Sequence, residues 1–127
     1  MAKESTIQTN ILNYINSLRE GAAENVSGNA AQSGKADINA CIHGITFKIE
    51  VKTEDTRYGR EGATTKQRLY LERWARAGAV SCVVYNVDDV KFMEYLTLSC
   101  FPPKNLQLSG RGKWYDVQNK RWVDISY

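Results

Sequence analysis

The stretch GKADINACIHGITFKIEVKTEDTR, residues 34–57, decides the architecture. Two short runs rich in apolar and β-branched residues flank His43-Gly44, which is the pattern of two strands around a tight turn. A two-residue turn with both residues at positive φ suits this dipeptide, because histidine tolerates that conformation better than most residues and glycine adopts it freely. Placing the turn there predicts the register: Ile42 faces Ile45, Ala40 faces Phe47 and Ile38 faces Ile49. Side chains alternate along a strand, so these six apolar residues share one face. The other face pairs Cys41 with Thr46, Asn39 with Lys48 and Asp37 with Glu50. Lys52 follows two residues after Glu50 and joins that face.

The two faces support each other, because a slip of one residue would carry Asp37, Glu50 and Lys52 into the core and expel the isoleucines. Directly opposed side chains have Cβ atoms roughly 4.5–5.5 Å apart, and like charges held there destabilise the pair. Asp37 opposite Glu50 is therefore a local cost. A divalent cation between the two carboxylates would remove it.

Upstream, Ile7, Ile11, Tyr14, Ile15 and Leu18 recur at three- and four-residue spacing, predicting a helix over residues 5–19 that is buried on one face and ended by Gly21. Residues 21–34 are small, polar and glycine-containing, a connector with room for one short strand near residues 24–27. Downstream, residues 53–65 form a charged loop. Thr64 and Gln67 then fit a capping box, so a helix runs to about Ala77 with Leu71, Trp74 and Ala75 inward and Gly78 as its stop. Residues 79–87 are a short apolar run typical of a strand buried on both faces. Asp88 or Asp89 can cap a short helix over residues 90–98. Beyond Pro102-Pro103, the tail KWYDVQNKRWVDISY alternates about Gln118-Asn119-Lys120 and predicts a second hairpin. This order implies an α/β fold with a mixed β-sheet flanked by helices.

With 127 residues the chain has the size of one domain, residues 1–127, in which residues 101–127 are a C-terminal hairpin extension. Its apolar runs fall far short of the roughly 20 residues needed to cross a bilayer, so no membrane-spanning helix is expected. The N-terminal MAKESTIQTN is polar where a secretory signal requires an apolar core, and a cytosolic setting is expected. Cys41, Cys82 and Cys100 are far apart among apolar neighbours and read as free, mostly buried thiols. There is no Cys-x-x-Cys pair, and His43 is the only histidine. Any metal must then be a hard cation on oxygen ligands. A net charge of +3 permits a polyanionic partner without requiring one.

Taken together, ESTIQTNILNYI, GKAD, IEVKT and TTKQRLYL resemble, in order and spacing, the VRR-NUC branch of the PD-(D/E)XK nuclease superfamily. The resemblance covers roughly residues 4–89 and implies a restriction-endonuclease-like core. It implies that Asp37 and Glu50 are metal-binding carboxylates, that the Val51 carbonyl is a further ligand, and that Lys52 is the catalytic lysine. Glu4 corresponds to the acid on the family's first helix and Gln67 to the glutamine that opens the following one. Ala36 stands where a proline usually precedes the aspartate, a residue that shapes backbone and does no chemistry. The implied cofactor is Mg²⁺, with Mn²⁺ as a substitute, and no organic cofactor is called for. Small stand-alone relatives, often phage-encoded, look like Holliday junction resolvases and form homodimers.

The chemistry agrees, since phosphodiester hydrolysis needs an activated water and stabilised negative charge, both of which a carboxylate-held Mg²⁺ provides. Arg57, Tyr58 and Arg60 in the loop after the site, with Lys66 and Arg68 on the next helix, are the candidate DNA contacts, gripping phosphates without reading sequence. Plainer readings stand beside these. Alternating charges can be a solvated strand face, Gln67 can simply complete a capping box, and Glu4 suits any helix N-terminus. Three functions follow: a metal-dependent endonuclease acting on branched DNA, a non-catalytic DNA-binding module on the same fold, or a sequence-specific restriction-type nuclease.

Overall fold

The His43-Gly44 turn forms as expected. In the computed structural model, which describes residues 3–26, 35–98 and 100–127, φ is 52° at His43 and 82° at Gly44. The turn joins β2 (Ile38–Ile42) to β3 (Ile45–Val51), and the register runs from Ile42↔Ile45 to Ile38↔Ile49 as the apolar pattern requires. On its other edge β3 pairs in parallel with β4 (Val80–Val84). A parallel pair needs a long crossover, and here it contains α2 (Arg57–Glu61) and α3 (Thr65–Arg76). Before β2 come α1 (Glu4–Ser17) and β1 (Gly21–Asn25); after β4 come α4 (Val87–Thr97), β5 (Lys113–Asp116) and β6 (Arg121–Asp124). The six strands form one mixed sheet in sequence order, antiparallel except at β3–β4.

The sheet has two unlike faces. Against one, α1 and α4 bury Ile7, Ile11, Ile15, Val90 and Met93 on Ile38, Ile42, Phe47, Ile49, Val51 and Val84. Against the other lies α3, where Leu71 meets Ala36, Val83 and Tyr85. Lys48 and Glu50 belong to this second face and are nonetheless buried.

Several expectations needed correction. The first helix ends at Ser17, with Leu18 already extended, so Gly21 opens β1 and does not stop the helix. The strand starts earlier than residues 24–27, and the rest of the connector, 27–34, lies outside the described residues. The charged loop contains α2, capped by Thr56, whose hydroxyl accepts the Gly59 N–H. Asn86, and neither aspartate, caps α4. Asp89 turns inward instead, accepting the N–H groups of Tyr85 and Ser109 and the Ser109 hydroxyl. Trp74 is 39% exposed and not inward, and the Lys48 ammonium lies over its ring, 3.7 Å from the centroid. Of the three thiols only Cys82 is buried. The C-terminal hairpin forms, and through β5 it pairs with β4 to extend the same sheet. Among the described residues no helix is long and apolar enough to cross a membrane.

Nothing lies within 4 Å of where a Cβ on Gly44 would stand. Gly44→Ala should therefore cost only the left-handed backbone term, about 1 kcal/mol. Urea unfolding will show this as a lower midpoint with an unchanged slope.

Candidate active site

Asp37, Glu50, Lys52 and Gln67 come together where β3 ends. Asp37 immediately precedes β2, and the backbone holds it from two sides. Its carbonyl accepts the Val26 N–H at 2.8 Å, and its Oδ2 accepts the Val51 N–H at 2.9 Å. The next residue is fixed by β4, since the Lys52 N–H donates to the Val84 carbonyl at 2.9 Å. A strand residue directs its N–H and C=O to the same edge. The Val51 carbonyl thus leaves β3 on the edge that Asp37 occupies.

Glu50 is 2% exposed. Its Oε2 accepts the Gln67 amide at 3.1 Å and lies 3.5 Å from the Lys52 ammonium. Its Oε1 is the single buried side-chain N or O atom without a hydrogen-bond partner among the described residues. The carboxyl also meets that of Asp37, a contact that becomes a hydrogen bond only when one of the two carries a proton. Burial, reinforced by the Asp37 charge and only partly countered by Lys52, pushes the Glu50 carboxyl up to about 9.

Gln67 serves two purposes. Its Oε1 accepts the Thr64 N–H at 2.9 Å and its N–H returns to the Thr64 hydroxyl at 3.2 Å, completing the capping box. The same amide then has its nitrogen free to donate to Glu50. Glu4, at the start of α1, is half-buried near the cluster; burial and then the Asp37 charge raise its carboxyl, while Lys52 lowers it.

The cluster is chemically suited to a hard cation. Two facing carboxylates, one with an orphaned buried oxygen, and a neighbouring backbone carbonyl are oxygen donors. No three His, Cys, Asp or Glu side chains converge as a ligand set among the described residues. That composition fits Mg²⁺, which keeps most of its waters, better than an ion needing an all-protein cage.

Arg57, Tyr58 and Arg60 lie on α2, and Lys66 and Arg68 on the first turn of α3; all five are exposed. α2 is seated close to the site. A Cβ on Gly59 would stand 1.8 Å from the Thr53 carbonyl, and the Gly59 carbonyl accepts the Tyr85 hydroxyl. Arg57 pairs with Glu61 at 3.2 Å, and Arg60 donates to the Glu54 carbonyl at 2.8 Å. Sequence reasoning finds Arg111 only as one cation of a basic C-terminal stretch and misses its pairing with Glu54, which its guanidinium reaches at 2.7 Å across a separation of 57 residues. No local signal announces such a pair. The Thr56-x-x-Gly59 cap of α2, by contrast, was a local signal that the glycine-containing loop obscured.

No protein-family profile matches the sequence, and neither does any curated protein. The fold is similar to that of a solved structure described as a "VRR_NUC domain protein", with a TM-score of 0.57 and 22% identity over 85% of this chain and 98% of that one. The shared architecture is a mixed sheet flanked by helices, consistent with a restriction-endonuclease-like core.

Two outcomes test the electrostatics. The Glu50 carboxyl loses its proton near 9 in the folded protein and near 4.5 when unfolded. Its contribution to stability is complete below the lower value and is lost as pH rises through the upper one. The metal-free protein should therefore lose stability across that window by at most about 1.4 kcal/mol per pH unit. Glu50→Gln should flatten this fall and raise the thermal midpoint at mildly alkaline pH. Under the same conditions millimolar Mg²⁺ should raise the midpoint of the wild type and leave Glu50→Gln unmoved, which differential scanning fluorimetry will read.

Proposed function

We propose that the protein is a DNA endonuclease that hydrolyses phosphodiester bonds with Mg²⁺, or Mn²⁺ in its place, selects branched or four-way-junction DNA, and works as a homodimer. The observation that carries this reading is the buried, unpartnered Oε1 of Glu50, whose carboxyl group meets that of Asp37. Asp37, Glu50 and the Val51 carbonyl would hold the cation, which when bound supplies an acidified water and neutralises charge on the phosphate.

The chain's own groups do the rest. Asp37 is held in position by the Val51 N–H, and Gln67 is a positioning residue that occupies Glu50 Oε2 and leaves Oε1 without a hydrogen-bond partner. Lys52, with its side chain 13% exposed, can set its ammonium against a phosphoryl oxygen and orient the attacking water. Glu4 adds negative potential at the edge of the cluster. Arg57, Tyr58, Arg60, Lys66 and Arg68 offer exposed contacts for the DNA backbone. The fold shared with a VRR_NUC domain protein supports the reading. Preference for junctions and two-fold assembly follow from the motif resemblance, and two sites related by a dyad would cut two strands.

The test is incubation with four-way junction, linear duplex and plasmid DNA in Mg²⁺, Mn²⁺ or EDTA, with sedimentation to give the assembly mass. Junctions should be cut fastest, only with metal, and Asp37→Asn, Glu50→Gln and Lys52→Ala should each slow cutting by about a hundredfold or more while retaining binding. Junction binding without cutting in either metal would assign a non-catalytic DNA-binding module instead. Cutting confined to one duplex sequence would assign a restriction-type enzyme.

A further inference from the structure

One strand over from Glu50, the same sheet face continues into a cleft of about 270 Å³. Val83, the β4 partner of Glu50, lies in its wall. Neighbouring strands are about 4.8 Å apart, so the cleft opens beside the carboxylates. Arg60 of α2, Arg68 of α3, Arg111 and Lys113 line it together with Trp122 of β6 and Tyr85, and the Arg111 guanidinium reaches the Arg60 carbonyl at 3.5 Å. The hairpin that contributes Lys113 and Trp122 is thereby drawn up to the site.

The four cations are not equivalent. Arg111 is paired with Glu54 at 2.7 Å, and Lys113 with Asp124 at 2.5 Å. Arg60 and Arg68 donate only to neutral oxygens: the Glu54 carbonyl at 2.8 Å, the Ala63 carbonyl at 2.9 Å and the Thr65 hydroxyl at 3.3 Å. Among the described residues neither has a carboxylate partner. The one carboxylate lining the cleft, Glu61, is itself paired with Arg57. Two guanidiniums without counter-ions call for an anion, and their planar donor fork matches phosphate. The half-buried Trp122 has its indole N–H occupied by Glu72 at 2.9 Å, so what it offers the cleft is ring surface. Ring surface beside a phosphate site suits a nucleobase.

Resting on the nuclease reading above, we propose that this cleft holds one unpaired nucleotide flanking the bond to be cut, its phosphate on Arg60 and Arg68 and its base against Trp122. A base within an uninterrupted duplex is stacked on its neighbours and must leave the stack to reach the indole. A base at a branch point meets less of that cost. The cleft therefore gives structure selectivity a physical origin that needs no reading of sequence.

Titration of the full chain with deoxyadenosine monophosphate in EDTA, followed by the Trp122 indole N–H resonance and assigned with Trp122→Phe, tests the cleft without requiring cleavage. The indole N–H and the Arg68 and Lys113 amides should shift together and saturate. Deoxyadenosine and inorganic phosphate should each bind more weakly, and Arg60→Gln/Arg68→Gln should weaken nucleotide binding about tenfold. An unmoved Trp122 in the wild type, or inorganic phosphate binding as tightly as the nucleotide, overturns the proposal. The cleavage assay separates the two ideas. If DNA is cut but Trp122 does not respond, the cleft assignment fails and the nuclease reading stands. If Trp122 responds and nothing is cut, the nuclease reading fails and the nucleotide site remains.

Discussion

β3 is hydrogen-bonded on both edges and packed on both faces, so every residue in it is committed to one of two layers. Phe47, Ile49 and Val51 enter the layer shared with α1 and α4, while Lys48 and Glu50 enter the one beside α3. The side-chain period of two leaves no intermediate choice. Each apolar residue buried against α1 and α4 contributes on the order of 1.5–3 kcal/mol, and that layer is what permits charges on the opposite side of the same strand. Lys48 is accommodated by the Asn39 side chain at 2.8 Å and by the Trp74 ring. Glu50 is accommodated less completely, and its incompleteness is what the proposed chemistry uses.

How far the sequence could be read depended on the range of each interaction. The hairpin was legible because turn chemistry, apolar pairing and charge placement all act between residues 37 and 52 and agree on one register. The α3 capping box was legible for the same reason, since Thr64 and Gln67 are three residues apart. Asp37, Glu50 and Lys52 were placed on one face by that register alone. What could not be read depends on contacts between distant segments. Trp74 looked like a core residue by spacing, yet it stays 39% exposed with the Lys48 ammonium, from another element, over its ring. Asp88 and Asp89 both suited a helix cap, but Asp89 is needed by the loop at Ser109, twenty residues on. The contribution of the C-terminal hairpin to the face beside Glu50 follows from β4–β5 pairing, which no short pattern encodes.

Three of the buried carboxylates, Asp89, Glu94 and Glu50, differ in how completely their oxygens are engaged. Asp89 is 0% exposed, and both its oxygens are used: Oδ1 by the Ser109 N–H, Oδ2 by the Tyr85 N–H and the Ser109 hydroxyl. Burial still raises its carboxyl, while those hydrogen bonds pull it back. It fastens the loop that presents Arg111, and a Cβ on Gly112 would stand 2.8 Å from its Oδ2. Glu94 is likewise engaged at both oxygens, by the Tyr14 hydroxyl and by the His43 ring at 3.2 Å. Glu50 has donors at Oε2, no partner at Oε1, and the like-charged Asp37 carboxyl beside the group. Buried polar groups almost always find partners; Asp89 and Glu94 satisfy the rule at both oxygens, and Glu50 departs from it at Oε1. A carboxylate oxygen left in that position needs either a proton of its own or a cation in front of it. Burial and the Asp37 charge push the Glu50 carboxyl up to about 9, which favours the proton in the metal-free chain, and a cation that bound there would have to displace it.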